Sequence, residues 1–142
     1  MSIWKTEISL ELANKRAQNT AVGHMGIELT EVGDDYFKGR MPVDKRTHQP
    51  TGILHGGASI LFAETLGSFA AQYAAGEDFY CVGQEVNGNH LRGVSEGWVY
   101  GIAKPHHIGR KSQVWGIEIT NEQGKMVCIA RLTMAVLPKL KK

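Results

Sequence analysis

Between Ala58 and Ala75 the chain carries a single charged residue, Glu64. A carboxylate set among apolar and small residues loses hydration energy unless a partner or a polar crevice replaces it. No Lys or Arg lies within the segment to pair with it. One explanation is structural, because Ser68 stands one helical turn later on the same face and could hydrogen-bond the carboxylate. The other is chemical: a carboxylate placed as general base or nucleophile. His55, Gly56 and Gly57 come just before the segment, and Gln49 lies in the stretch leading to them. A glycine pair opening a helix leaves backbone N–H groups unpaired at the positive end of the helix dipole. There they can stabilise negative charge growing on a carbonyl oxygen. His55 is then either a capping side chain or a second donor to that oxygen.

Spacing constrains how these groups could cooperate. Eight residues separate Gly56 from Glu64, which at about 1.5 Å per residue puts them roughly 12 Å apart along a helix. One carbonyl cannot readily meet both. If they act on one bond, two copies of the chain must face each other across a two-fold axis, Glu64 of one opposite Gln49, His55 and Gly56 of the other.

The elements that would position these residues follow from pattern. Leu10, Ala13 and Ala17 at helical spacing behind Ser9 predict a short helix over Ser9 to Gln18. Ile27 to Val32 and Tyr36 to Met41 read as strands joined by a turn at Gly33, Asp34 and Asp35. Pro42 to Leu54 has no apolar period and reads as a long loop, a place where function often sits. From Gly56 to Ala75 the chain is apolar nearly all round, as in a buried helix. Four β-like segments follow, Tyr80 to Leu91, Trp98 to His106, Ser112 to Thr120 and Met126 to Leu137. Breaks at Gly93 to Gly97, Ile108 to Lys111 and Asn121 to Gly124 suggest three hairpins or near-hairpins. The expected class is α+β, an antiparallel sheet wrapped around one long central helix, with residues 1–142 as one domain.

Composition narrows the function. Sixteen Lys and Arg against fourteen Asp and Glu give a net charge of +2, too small to predict nucleic-acid binding. Lys139, Lys141 and Lys142 read as a solvated tail. Cys81 and Cys128 lack the spacing of a zinc site or a disulfide scaffold, and the start lacks the pattern of a signal peptide, so a cytoplasmic protein with reduced thiols is expected. Glu64 interrupts the longest apolar stretch, which argues against a membrane span. The six histidines show no metal-ligand spacing, so neither metal nor cofactor is expected.

The sequence resembles a known family. Met41-Pro42-Val43-Asp44, then Gln49-Pro50-Thr51-Gly52-Ile53-Leu54-His55-Gly56-Gly57, then Ala63-Glu64-Thr65-Leu66-Gly67-Ser68, the segment Asn87 to Arg92 and the segment His107 to Trp115 are similar to the hotdog-fold thioesterases of the PaaI-like type. Within that group they look most like the naphthoyl-CoA thioesterases of menaquinone synthesis and the proofreading thioesterases of enterobactin synthesis. The resemblance runs almost end to end. It implies edge-to-edge homodimers, often homotetramers, with active sites spanning two subunits. It implies Glu64 as nucleophile or general base, His55 and the Gly56 N–H polarising the thioester carbonyl, Gln49 orienting water or the leaving sulfur, and Ser68 contacting the acyl group or supporting Glu64. It places Gly83, His90, Leu91, Arg92 and Gly93 on coenzyme A, together with His107, Ile108, Gly109, Arg110, Lys111 and Ser112. The implied substrate is an aryl or naphthoyl thioester of CoA or of an acyl carrier protein. The chain departs from that pattern at Thr51 and from Ala70 to Asp78, which leaves acyl preference open; Phe69 and Gln72 are further candidates for the acyl pocket.

Two other readings use the same residues. A hotdog hydratase or dehydratase would pair a catalytic His with an acid for proton transfer at carbon, and no such pairing stands near the helix start. A non-catalytic acyl-CoA-binding module would need no Glu64.

Overall fold

The computed structural model describes residues 1–140. The first helix, α1 (Leu10–Ala17), is built as its sequence dictates: the Ser9 hydroxyl caps Leu12 N–H, Glu11 sits in the first turn and Lys15 and Arg16 in the last, each opposing the local end of the helix dipole. Its Asn14 makes a two-way bond to the backbone of Leu29, donating to the carbonyl at 3.0 Å and accepting from N–H at 2.8 Å. That clamp lies beside a bulge between Leu29 and Glu31. A second, four-residue helix, α2 (Ala21–His24), precedes β1 (Glu28–Val32) and β2 (Phe37–Val43).

The long helix α3 spans Gly56–Ala75, followed by β3 (Phe79–His90), β4 (Gly97–Ile108), β5 (Ser112–Thr120) and β6 (Met126–Pro138). The six strands form one antiparallel sheet in the order β1-β2-β4-β5-β6-β3. The class and the central helix are as expected. One of the expected hairpins is not: β3 and β4 are not neighbours, since β3 pairs with β6 at the far edge while β4 pairs with β2 and β5. The segment between them is a crossover, held to the loop before α3 by Leu54 N–H to Val94 O at 2.8 Å and His48 Nε2 to Ser95 O at 2.9 Å. A Gly-rich break marks a turn but does not say which strands it joins.

The loop from Asp44 to His55 is itself well tied. Thr47, 1% exposed, donates to Pro42 O, and His55 N–H donates to Thr47 O. The Arg46 guanidinium holds the Asp44 carboxyl below its ordinary pKa by hydrogen bonding. The start of α3 is therefore fixed in space.

Helix α3 packs on β2, β3, β4, β5 and β6. Its inward face is Phe62, Ala63, Leu66, Ala70, Ala71 and Ala74, each fully buried. Small residues let helix and sheet approach closely. Gly39 and Gly101 are cross-strand partners, and a Cβ on either would run into Leu66. Phe62 also meets the Gly101 position at 2.9 Å. Over-packing of this kind costs about 1–3 kcal/mol, so Gly101→Ala lowers stability by that amount in denaturant titration. Near the C-terminal end of α3, Trp4 stacks on Trp115 and Phe37 stacks on Phe69 and Tyr73. Gln113, 1% exposed, donates to Ala71 O and accepts from the Trp115 indole N–H at 2.8 Å. The Gln113-Val114-Trp115 motif is thus a device of the core.

Among the described residues no helix is long and apolar enough to cross a membrane. Cys81 and Cys128 are both free, and burial pushes both thiols up from their ordinary pKa.

Candidate active site

His55 is the N-cap of α3, its Nδ1 accepting from Gly57 N–H at 2.8 Å. With Nδ1 an acceptor, a neutral ring carries its proton on Nε2, which is left as a donor on an exposed side chain. The carbonyl of His55 accepts from Ala58 and Ser59 N–H. Gly57 and Ala58 are therefore satisfied, and Gly56 N–H is left without an acceptor among the described residues. A free donor at the first turn of a 20-residue helix is suited to an oxyanion. The cap and the donor come from one local structure.

Gln49 Oε1 accepts from both the hydroxyl and the N–H of Thr51. That network fixes which end of the amide is which and leaves the Nε2 amino group to donate. Thr51, a departure from the family pattern, thus orients the glutamine.

Glu64 sits two turns into α3, half-buried, with no ion pair or hydrogen bond among the described residues. Ser68 does not bond to it; the Ser68 hydroxyl points to Met134 Sδ at 3.8 Å. Gly83 of β3 lies directly against the carboxylate, and any Cβ there would overlap Glu64 Oε2. Gly83 is expected on coenzyme A; its place in the fold is to make room for Glu64.

An apolar groove of about 270 Å³ opens beside the carboxylate, lined by Ala21, Val22, Leu61, Thr65, Ser68 and Phe69. The Thr65 hydroxyl donates to Leu61 O and is used within the helix. Phe69 lines this groove. Gln72 does not: it donates to the carbonyls of Gly76 and Phe79 and accepts from Cys81 N–H, closing the end of α3 against β3. Sequence reading missed Ala21 and Val22, because a four-residue helix is too short to show a period.

The residues expected on coenzyme A fall into two groups. His90 packs on Gly56, where a Cβ would meet its Nε2 at 2.8 Å, and Leu91, Arg92 and Gly93 continue outward, all exposed. His107 to Ser112 spans the end of β4, the 109–111 turn and the first residue of β5 beside the C-terminal end of α3, on a cavity of about 710 Å³ that includes Ile108, Gly109, Arg110, Lys111, Ala74 and Ala75. Helix α3, about 30 Å long by its residue count, separates the two groups within one chain. Glu64 and Gly56 are likewise eight residues apart on it. Among the described residues no cluster of His, Cys, Asp and Glu could hold a metal ion.

Comparison with known proteins places this arrangement. The thioesterase superfamily model matches residues 51–128, more than half of the chain and all of α3. The chain is 51% identical to the proofreading thioesterase EntH of Cronobacter turicensis, over 95% of this chain and 98% of that one. A thioesterase crystal structure from Haemophilus influenzae matches with a TM-score of 0.96 at 45% identity, covering 98% of this chain and 97% of that one. A mutant thioesterase from Pseudomonas aeruginosa matches with a TM-score of 0.95, also at 45% identity, over 97% and 100%. With this sequence, this sheet and this helix, the chain belongs to the thioesterase superfamily, has the hotdog fold and is a thioester hydrolase.

Proposed function

We propose that the chain hydrolyses aromatic acyl-CoA thioesters, aryl or naphthoyl, to the free acid and coenzyme A, in an active site built by two copies of the chain. Glu64 of one copy acts as general base or nucleophile, and His55 Nε2–H and Gly56 N–H of the other hold the carbonyl oxygen. Gln49 donates to the attacking water or the leaving sulfur. As general base, Glu64 takes a proton from water while the water oxygen bonds to the acyl carbon, and the resulting tetrahedral intermediate collapses with breakage of the C–S bond. The leaving thiolate is stable enough to depart without a strong acid beside it. Ser68 lines the acyl groove.

The observation that carries this reading is a pair of groups without partners among the described residues on one rigid helix, the Glu64 carboxylate and the Gly56 N–H, about 12 Å apart. The edge strand β3 supports a way to bring them together. It is 12 residues long with one charged side chain before its terminal His90, and it exposes Tyr80 and Val82. Unpaired edges of this kind invite a second strand. Gly83, beside Glu64, and His90, beside Gly56, lie on either side of Val86. Antiparallel pairing of two β3 strands about a two-fold near Val86 therefore brings Glu64 of one copy toward Gly56 of the other. The same operation brings His90 and Arg92 of one toward Arg110 and Lys111 of the other, a set of cations and donors matched to the phosphates of coenzyme A. Homodimer and homotetramer both contain this pair.

A second reading has a specific support. The relative from Cronobacter turicensis is named a proofreading thioesterase, which favours an aryl group loaded on a carrier protein and an enterobactin rather than a menaquinone setting. A turnover panel of naphthoyl-, benzoyl-, phenylacetyl- and straight-chain acyl-CoA beside an aryl-loaded carrier protein separates the readings. The CoA reading expects kcat/KM highest for aryl-CoA. A carrier-protein substrate at least about tenfold better establishes the second, and a straight-chain preference overturns both.

A further inference from the structure

We infer that Val22 of α2 is the wall that sets the size of acyl group accepted beside Glu64, an inference that rests on the thioesterase site proposed above. The groove next to the carboxylate has α3 on one side, through Leu61, Thr65, Ser68 and Phe69, and only Ala21 and Val22 on the other. Ala21 is exposed, whereas Val22 is half-buried and packs toward the core, so Val22 is the side chain that limits the width. The opposite wall is fixed: Phe69 is stacked on Phe37 at 6.3 Å, and Thr65 is bonded to its own helix.

The position of α2 is also fixed. It lies between two residues with left-handed backbone, Asn19 (φ 63°) and Gly26 (φ 72°). Gly23 meanwhile seats it so closely on α1 that a Cβ would come within 2.7 Å of Ala17 O. Ile27 N–H donates to Val22 O, tying the wall to the start of β1. Width therefore depends on the side chain at residue 22. α2 itself contains no fully buried residue, and Val22 packs against the core only from its margin.

An enclosed apolar cavity of about 150 Å³ holds one benzene ring, so the groove of about 270 Å³ beside Glu64 has room for a substituted single ring or two fused rings. Its lining is apolar apart from Glu64 and two hydroxyls, Thr65 bonded to Leu61 O and Ser68 directed at Met134 Sδ, which suits a flat ring with few polar substituents.

The test compares Val22→Trp and Val22→Ala with the parent protein, using acetyl-CoA, benzoyl-CoA and 2-naphthoyl-CoA, with calorimetric binding of 2-naphthoate as a readout independent of turnover. Val22→Trp is expected to lower kcat/KM for 2-naphthoyl-CoA at least about tenfold relative to acetyl-CoA, and to weaken 2-naphthoate binding similarly. Val22→Ala is expected to raise the naphthoyl-to-benzoyl ratio. Naphthoyl-to-acetyl and naphthoyl-to-benzoyl ratios, and naphthoate affinity, all unchanged in folded Val22→Ala overturn the inference, whether or not Val22→Trp folds. Absence of thiol release by the parent protein on every thioester sinks the proposed function instead, and naphthoate binding still decides the role of Val22.

Discussion

Glu64→Gln lowers kcat for thioester hydrolysis by about 10²–10⁴-fold, the usual worth of a positioned general base, while KM for the acyl-CoA changes little. Glutamine keeps the shape that Gly83 accommodates and the groove that Val22 and Phe69 line, so binding is preserved. What it removes is an oxygen able to take a proton or attack a carbonyl. Stability stays within about 0.5 kcal/mol of the parent, because Glu64 is half-buried and makes no ion pair or hydrogen bond among the described residues. Steady-state thiol release and a denaturant titration on the same preparation separate catalysis from folding. A variant with near-normal kcat removes Glu64 from the mechanism. Single turnover in ¹⁸O-labelled water tests a nucleophilic role: label in the protein shows that a Glu64–acyl anhydride formed and was opened at the Glu64 carboxyl carbon.

Much of the scaffold is legible in the sequence because its signals are local. Ser9 caps α1, the Gly33 to Asp35 turn joins β1 and β2, and the apolar run beginning at Gly56 becomes α3 from Gly56 to Ala75. Glu64 stands out for the same reason, as a charge with no local partner. Strand order is not local. Gly93 to Gly97 has the composition of a hairpin, but β3 pairs with β6, from Phe79 opposite Pro138 to His90 opposite Cys128, partners far along the chain that no local pattern names. The site shows the same division. His55 and Gly56 are readable as a helix start, yet only the structure shows that His55 Nδ1 is spent on Gly57 and that Gly56 N–H has no acceptor among the described residues. Gln72 looks like a pocket residue by its place on α3, but the end of that helix needs its amide to satisfy the Gly76 and Phe79 carbonyls. Val22 gives no signal, since its contribution depends on Asn19 and Gly26 reversing the chain around it.

Mixing two inactive variants restores activity if the site is shared between copies. His55→Ala removes one oxyanion donor, worth about 10²–10³ in kcat, and also the N-cap of α3, worth about 1 kcal/mol of stability. Alone, it and Glu64→Gln are each nearly inactive. In a mixed dimer the Glu64→Gln chain supplies intact His55 and Gly56, the His55→Ala chain supplies intact Glu64, and one of the two sites is whole. Random assortment makes half the dimers mixed, so co-expression returns about one quarter of parental activity. The gain of more than tenfold over either variant is read directly as thiol release, with mass spectrometry confirming the mixed species. An active site contained within one chain gives no such gain, because every chain then carries a lesion in its own site. Mixed dimers with only the summed activity of the two variants therefore overturn the shared site and the β3 pairing that builds it.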